Sequence, residues 1–283
     1  MLQINNLTFR IGGRLLLEGA SAALPDGHKV GLVGRNGTGK STLLKLILGD
    51  LIPESGSASV PKNARIGTVA QEAPGGSESL LDTVMAGDKE RDALLTEAET
   101  AKDPHRIAEI QIRLADIDAH SAHARAAVIL AGLGFTEEQQ NGPCSALSGG
   151  WRMRVALAAA LFGAPDVLLL DEPTNYLDLE GTIWLKSYIR DYPHTILLVS
   201  HDRDLLNEAV DSILHLDQGK LTLYVGNYDN FERQRREKQA LTLKLKKKQE
   251  EQRDHMQAFV DRFKAKASKA RQAQSRMKAL AKL

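Results

Sequence analysis

Residues 34–41 read Gly34-Arg35-Asn36-Gly37-Thr38-Gly39-Lys40-Ser41, and this octapeptide restricts the fold more than any other stretch of the chain. It fits the pattern G-x-x-x-x-G-K-S. An apolar run, His28-Lys-Val-Gly-Leu-Val, precedes it, and a helical pattern, Ser41–Leu48, follows. The glycines let the backbone bend round phosphates so that successive N–H groups point inward, and the helix start, with Thr42 in its first turn, adds its positive end. Lys40 supplies a point charge for β- and γ-phosphates, and the Ser41 hydroxyl can bind Mg²⁺. A strand–loop–helix unit holding a nucleoside triphosphate is therefore expected here.

A second element matches it. Val167-Leu-Leu-Leu170 is a short apolar run that ends in Asp171-Glu172. Two acids closing a buried strand are costly unless they do something. Asp171 can hold Mg²⁺, and Glu172 can orient or deprotonate an attacking water. Ile196–Val199 reads as another buried strand, followed by Ser200-His201-Asp202. Leu2–Leu7 and Ala64–Gln71 read as further strands. Strands alternating with helices predict a largely parallel sheet covered on both faces.

Two segments depart from this alternation. Residues 83–130 are polar and Ala-rich, which predicts a helical insert broken once, at Asp103-Pro104. Residues 228–283 contain neither Gly nor Pro, and their Ala, Leu, Lys, Gln and Arg content predicts helix, either continuous or folded as helix-loop-helix. Met256, Phe259, Phe263, Ala267, Ala270, Met277 and Leu280 recur at spacings that form a seam for a partner helix. The formal net charge of +1 conceals an asymmetry: residues 233–283 carry 17 Lys and Arg against 5 Asp and Glu, and the other 232 residues carry 20 against 31. An acidic body with a basic tail suits a polyanionic partner. No run of about 18 apolar residues marks a membrane span. The first residues do not read as a secretory signal, and the one cysteine, Cys144, excludes an internal disulfide framework and reads as a small, partly buried side chain. A cytoplasmic protein is expected.

Leu147-Ser148-Gly149-Gly150-Trp151 stands between the two phosphate-site elements, and Asn175-Tyr-Leu-Asp178 follows the acidic pair. The order from phosphate loop through Gln71, Ser-Gly-Gly, Asp-Glu and Asp178 to His201 resembles that of ATP-binding cassette (ABC) ATPases over about residues 1–232. The resemblance implies an α/β head: a P-loop parallel-sheet core, an antiparallel β subdomain and a helical subdomain. It also implies roles: Gln71 senses Mg²⁺ and the attacking water, and Ser148, Gly149 and Gly150 cap the γ-phosphate of ATP on a second head. Asp178 bridges two heads, and His201 contacts the γ-phosphate. Such heads often stack an aromatic on adenine just before a Gly pair. Here Ile11 precedes Gly12-Gly13 and Phe9 lies two residues earlier, so an aliphatic contact with the base is expected.

Asp171-Glu-Pro-Thr-Asn-Tyr-Leu-Asp, Trp151 after the signature, and residues 259–276 are similar to the ABC-F branch, nearest to its YheS-type bacterial members. That resemblance implies a helical arm near residues 83–130 and a basic inter-domain linker over 233–283. The linker would reach ribosomal RNA and tRNA, with Lys264, Lys266, Lys269, Arg271, Arg276 and Lys278 meeting phosphates. One phosphate loop and one signature are present, so the second head is expected either in a longer chain of which this is the N-terminal half or in a homodimer mate. The competing expectations are an ATPase subunit of a membrane transporter and a DNA-associated relative.

Overall fold

A computed structural model describes residues 1–70 and 74–263. Residues 1–228 form one compact unit, and residues 229–283 form a second. The first opens with strands β1 (Leu2–Ile11), β2 (Arg14–Leu24) and β3 (Lys29–Val33), then helix α1 (Lys40–Leu48), and strands β4 (Ser55–Ser59) and β5 (Ile66–Thr68). Helices α2 (Leu80–Met85), α3 (Lys89–Thr100), α4 (Pro104–Asp116), α5 (Ala122–Gly132), α6 (Glu137–Gln140) and α7 (Gly149–Phe162) follow. The core resumes with β6 (Val167–Asp171), α8 (Leu179–Asp191), β7 (Thr195–Val199), α9 (Arg203–Glu208), β8 (Ser212–Asp217) and β9 (Lys220–Val225).

Two sheets result. The larger has the order β5-β6-β7-β3-β8-β9 and is parallel except for β9 at one edge. The smaller, β2-β1-β4, is antiparallel. Leu168, Leu169 and Leu170 of β6 and Ile196, Leu197 and Leu198 of β7 are fully buried, as central strands covered on both faces require. Leu2, Ile4 and Leu7 of β1 pack into the same core cluster as Leu32, Leu43 and Leu214, which ties the small sheet to the large one.

The expected α/β architecture is present, with three local corrections. The strand expected over Ala64–Gln71 narrows to Ile66–Thr68, because as an edge strand it pairs only with β6, over that length. The insert expected to break once is interrupted repeatedly. Asp88 starts α3 by accepting the Arg91 N–H, Asp103 starts α4 by accepting that of His105, and Asp118 at φ 51° turns the chain before α5. Each is a short acceptor side chain that competes with helix continuation. Cys144, expected to be partly buried, is fully buried.

In the second unit, helix α10 (Tyr228–Phe263) runs without a break through 36 residues, about 54 Å at 1.5 Å per residue. Its Lys246–Glu250 and Lys247–Glu251 pairs are spaced i, i+4. Residues 264–283 lie outside the described residues. So do Lys264, Lys266, Lys269, Arg271, Arg276 and Lys278, and the seam from Ala267 onward.

Candidate functional site

Parallel strands deliver their loops to one edge of the sheet, and ligands bind in the crevice outside those carboxyl ends. β3 ends at Val33 and hands the chain to the phosphate loop. β6 ends at Asp171, and β7 ends just before Ser200 and His201. In-register pairing sets Asp171 beside Val199, so the acidic pair and His201 meet because their strands are neighbours.

The loop has the shape its sequence predicts. Gly37 and Gly39 adopt φ of 74° and 103°, left-handed values that cost a side-chain-bearing residue energy. Thr38 closes the turn, its hydroxyl donating to the Arg35 carbonyl at 2.8 Å. Gly39 caps α1 with no side-chain acceptor, which leaves the first-turn N–H groups open to an anion. Lys40 is buried, and its Nζ donates to the Gly34 carbonyl at 3.0 Å and the Arg35 carbonyl at 3.4 Å. The ammonium is thus drawn over the loop it serves.

Glu172 carries the strain. It sits at φ 49°, ψ 54°, pinned by its N–H to the Val199 carbonyl at 2.9 Å and by Pro173 after it. Such a conformation costs of order 1–3 kcal/mol and persists only where its surroundings enforce it. Its Oε2 accepts the His201 backbone N–H at 3.3 Å. Its Oε1 is buried, lies 3.4 Å from His201 Nε2, and has no hydrogen bond in proper geometry. An orphaned carboxylate oxygen of this kind suits a water molecule held for attack.

A cleft of about 550 Å³ joins these parts. Asn36, Gly37, Gly39, Lys40, Ser41 and Thr42 line it, together with Asp171, Glu172 and His201. Arg14, Leu16, Asn175 and Val199 also line it, and the sequence reading missed all four. The Gly12-Gly13 hairpin turn could have signalled Arg14 and Leu16. Ile11 is exposed and lines the cleft, whereas Phe9 is buried in the core, so of these two residues it is Ile11 that borders the cleft. Gln71 lies outside the described residues. Ser41 and Asp171 offer the hard oxygen ligands that Mg²⁺ prefers. Among the described residues no group of three His, Cys, Asp or Glu could hold a metal by itself; a cation here would be shared with phosphate oxygens.

Ser148, Gly149 and Gly150 do not line this cleft. They open α7 on the surface, with no side-chain cap at Ser148 and open space before both glycines. Asp178 also lies apart from the cleft, at the start of α8. Its Oδ1 accepts the Gly181 N–H at 2.9 Å and its Oδ2 pairs with Arg154 at 2.9 Å. The Gly181 amide first, and the Arg154 guanidinium second, hold its carboxyl below the usual range. The helix starts at Gly39 and Ser148, neither with a side-chain cap, therefore do not line one cleft.

The comparisons with known proteins agree with this geometry. Residues 17–175 match a family model described as ABC transporter. The chain belongs to the ABC transporter family. A second model with that description matches residues 214–283. "Probable ATP-binding protein YheS" of Escherichia coli K12 is 46% identical over the whole chain, which covers 45% of that protein. "ABC transporter F family member 3" of Arabidopsis thaliana is 44% identical over the whole chain, covering 42% of that protein. "ATP-binding cassette sub-family F member 3" of Homo sapiens is 42% identical, with 40% of its length covered. The expected F-branch and YheS-type resemblance is thus borne out, and the chain spans less than half the length of these curated relatives. Among solved structures, one titled "Structure of ATP binding subunit of ABC transporter" superposes with a TM-score of 0.61 at 20% identity, over 83% of this chain and 92% of that one. The ATP-binding cassette MJ0796, a dimeric post-hydrolysis state bound to ADP and Pi, gives 0.57 at 22%, over 80% and 98%. These establish the ABC ATPase fold. No helix of the described residues is long and apolar enough to cross a membrane.

Proposed function

We propose that the chain is an ABC-F ATPase head that binds Mg-ATP, hydrolyses it when paired with a second head, and couples that pairing to ribosome and tRNA binding. The observation that carries the catalytic part is the convergence of Lys40, Ser41, Asp171, Glu172 and His201 on one cleft, where Glu172 Oε1 is buried, makes no hydrogen bond and lies 3.4 Å from His201 Nε2.

The roles follow from position. The loop amides and Lys40 bind the phosphates and neutralise them. Ser41 and Asp171, with Gln71, hold Mg²⁺, which supplies charge compensation at the transferring phosphoryl group. Glu172 takes the proton of the attacking water. His201, 3.4 Å from Glu172, steadies the γ-phosphate and keeps the carboxylate oriented. Ser148, Gly149 and Gly150 sit away from this cleft, so they serve the nucleotide of a second head, supplied by the same polypeptide or by a homodimer mate. A lone head binds ATP and turns it over slowly.

The ribosomal part rests on the resemblance to the F branch read from the sequence and on the basic tail, which includes Lys244, Lys246, Lys247 and Lys248 of α10. Residues 83–130 serve as the arm and 233–283 as the linker. Lysines spread round a helix bind RNA through phosphates, with an affinity that falls steeply with salt. The test is cosedimentation of the chain with 70S ribosomes in Mg-ATP over rising salt, with a branched DNA junction as competitor. The expected result is ATP-dependent pelleting that weakens with salt and resists the DNA. Pelleting that ignores ATP, or is abolished by the junction, would contradict it.

A further inference from the structure

The signature helix and the loop that follows the catalytic acids are joined by one buried guanidinium. Arg154 lies on α7, one turn beyond Trp151, and is 9% exposed. Its Nε donates to the Tyr176 carbonyl at 2.6 Å. Its Nη1 donates to the Leu133 carbonyl at 3.1 Å and to Asp178 Oδ2 at 2.9 Å. Its plane lies 4.2 Å from the centre of the Trp151 ring, and Phe135 meets the same ring edge-on at 5.0 Å. Asp178 in turn caps α8 through Gly181. The turn at Gly134 leaves room for this junction. Gly134 has φ of 94°, and a Cβ there would stand 3.2 Å from Arg154 Nη1 and 3.8 Å from both Asp178 Oδ2 and Trp151.

We infer that Arg154 is a positioning residue that locks the Tyr176–Asp178 loop to the signature helix, so that Ser148 and Asp178 move as one body when two heads meet. The inference builds on the paired-head reading. The physical reason is the rigidity of the guanidinium. A planar fork stacked on an aromatic ring can hold two carbonyls and a carboxylate in fixed directions, and a lysine ammonium on a flexible stem cannot. The loop it fixes begins four residues after Glu172 and ends at the start of α8. Asp178 keeps about half its side-chain surface free. Its carboxylate is therefore aimed by Arg154 and still open to a partner head. Displacement of Ser148 by a second nucleotide would pull on the loop through Arg154, and the segment holding Glu172 would feel that pull through Pro173.

The test compares wild type, Arg154→Lys, Asp178→Asn and the double variant as the full chain. Amide hydrogen exchange is read in segments 175–181 and 40–48, beside Mg-ATP affinity and turnover. Each single variant is expected to speed exchange over 175–181 by about tenfold while leaving 40–48 unchanged. The double variant should exchange no faster than the faster single. Mg-ATP affinity should stay within about twofold while kcat falls by about tenfold, the signature of lost positioning. Exchange over 175–181 equal to wild type in Arg154→Lys, effects that simply add in the double variant, or an unchanged kcat would overturn the inference. If Arg154→Lys does not fold, Asp178→Asn together with Gly134→Ala, which crowds the same junction, gives the same exchange readout. If wild type itself neither binds nor hydrolyses Mg-ATP, the paired-head reading fails, and the exchange comparison still decides whether Arg154 holds the loop.

Discussion

Lys40 and His201 line the same cleft, and their burial separates what each should do. Lys40 is nearly enclosed, whereas the His201 side chain is 60% exposed. Removing the ammonium by Lys40→Ala takes away a charge-assisted contact worth about 2 kcal/mol, so Mg-ATP affinity measured by equilibrium dialysis should fall by about thirtyfold. His201→Ala leaves the phosphate loop intact; affinity should change little while phosphate release slows by about 10²-fold. A large loss of affinity in His201→Ala, or none in Lys40→Ala, would reassign both. The residues of this site were legible in the sequence because each follows its own strand within a few positions. Arg154 was not: its partners Leu133, Tyr176 and Asp178 lie 21 to 24 residues away, and nothing local marks the contact. Arg14 and Asn175 were missed for a related reason, since facing a cleft depends on the fold and not on residue type.

At the level of elements, the buried strands carry the site. β6 and β7 lie side by side, and any looseness between them separates Glu172 from His201. Leu169 is fully buried in β6, so Leu169→Ala should cost about 3 kcal/mol in urea unfolding. A cost below about 1 kcal/mol would mean that the strand is not under the packing described. α8 packs on α5 through a close approach: a Cβ at Gly132 would come within 2.0 Å of the Trp184 ring. The runs Val167–Leu170 and Ile196–Val199 announced central strands by being wholly apolar. β2, β4, β8 and β9 gave no such announcement. The β4 sequence, Ser-Gly-Ser-Ala-Ser, has no strand pattern of its own and is recruited by pairing with β1. The β8–β9 hairpin turns at Gln218 and Gly219, both at positive φ, and only that glycine hinted at it.

At the scale of the whole molecule, alkaline pH probes the aromatic packing. Burial pushes the Tyr188 phenol up to about 12 and Tyr192 higher still, from an ordinary value near 10. The folded chain therefore keeps protons that the unfolded chain releases at about pH 10, and this contribution to stability is lost as pH rises from about 10 to about 12. Tyrosinate absorbance should show Tyr188 and Tyr192 titrating late, together with loss of helix signal; both of them titrating near pH 10 in a folded chain would contradict the burial. The acidic body and basic tail were legible from charge counts alone; the absence of Gly and Pro announced helix but left one helix and a helix-loop-helix open, and the structure shows α10 unbroken over Tyr228–Phe263. Which partner that charge meets is a property of chemistry outside the chain. The central claim concerns the cleft, and the most direct measurement is phosphate release by Glu172→Gln beside its retention of Mg-ATP. The account predicts wild-type affinity for Mg-ATP with release slowed by at least about 10²-fold; an unchanged rate of release, or loss of nucleotide binding, would contradict it.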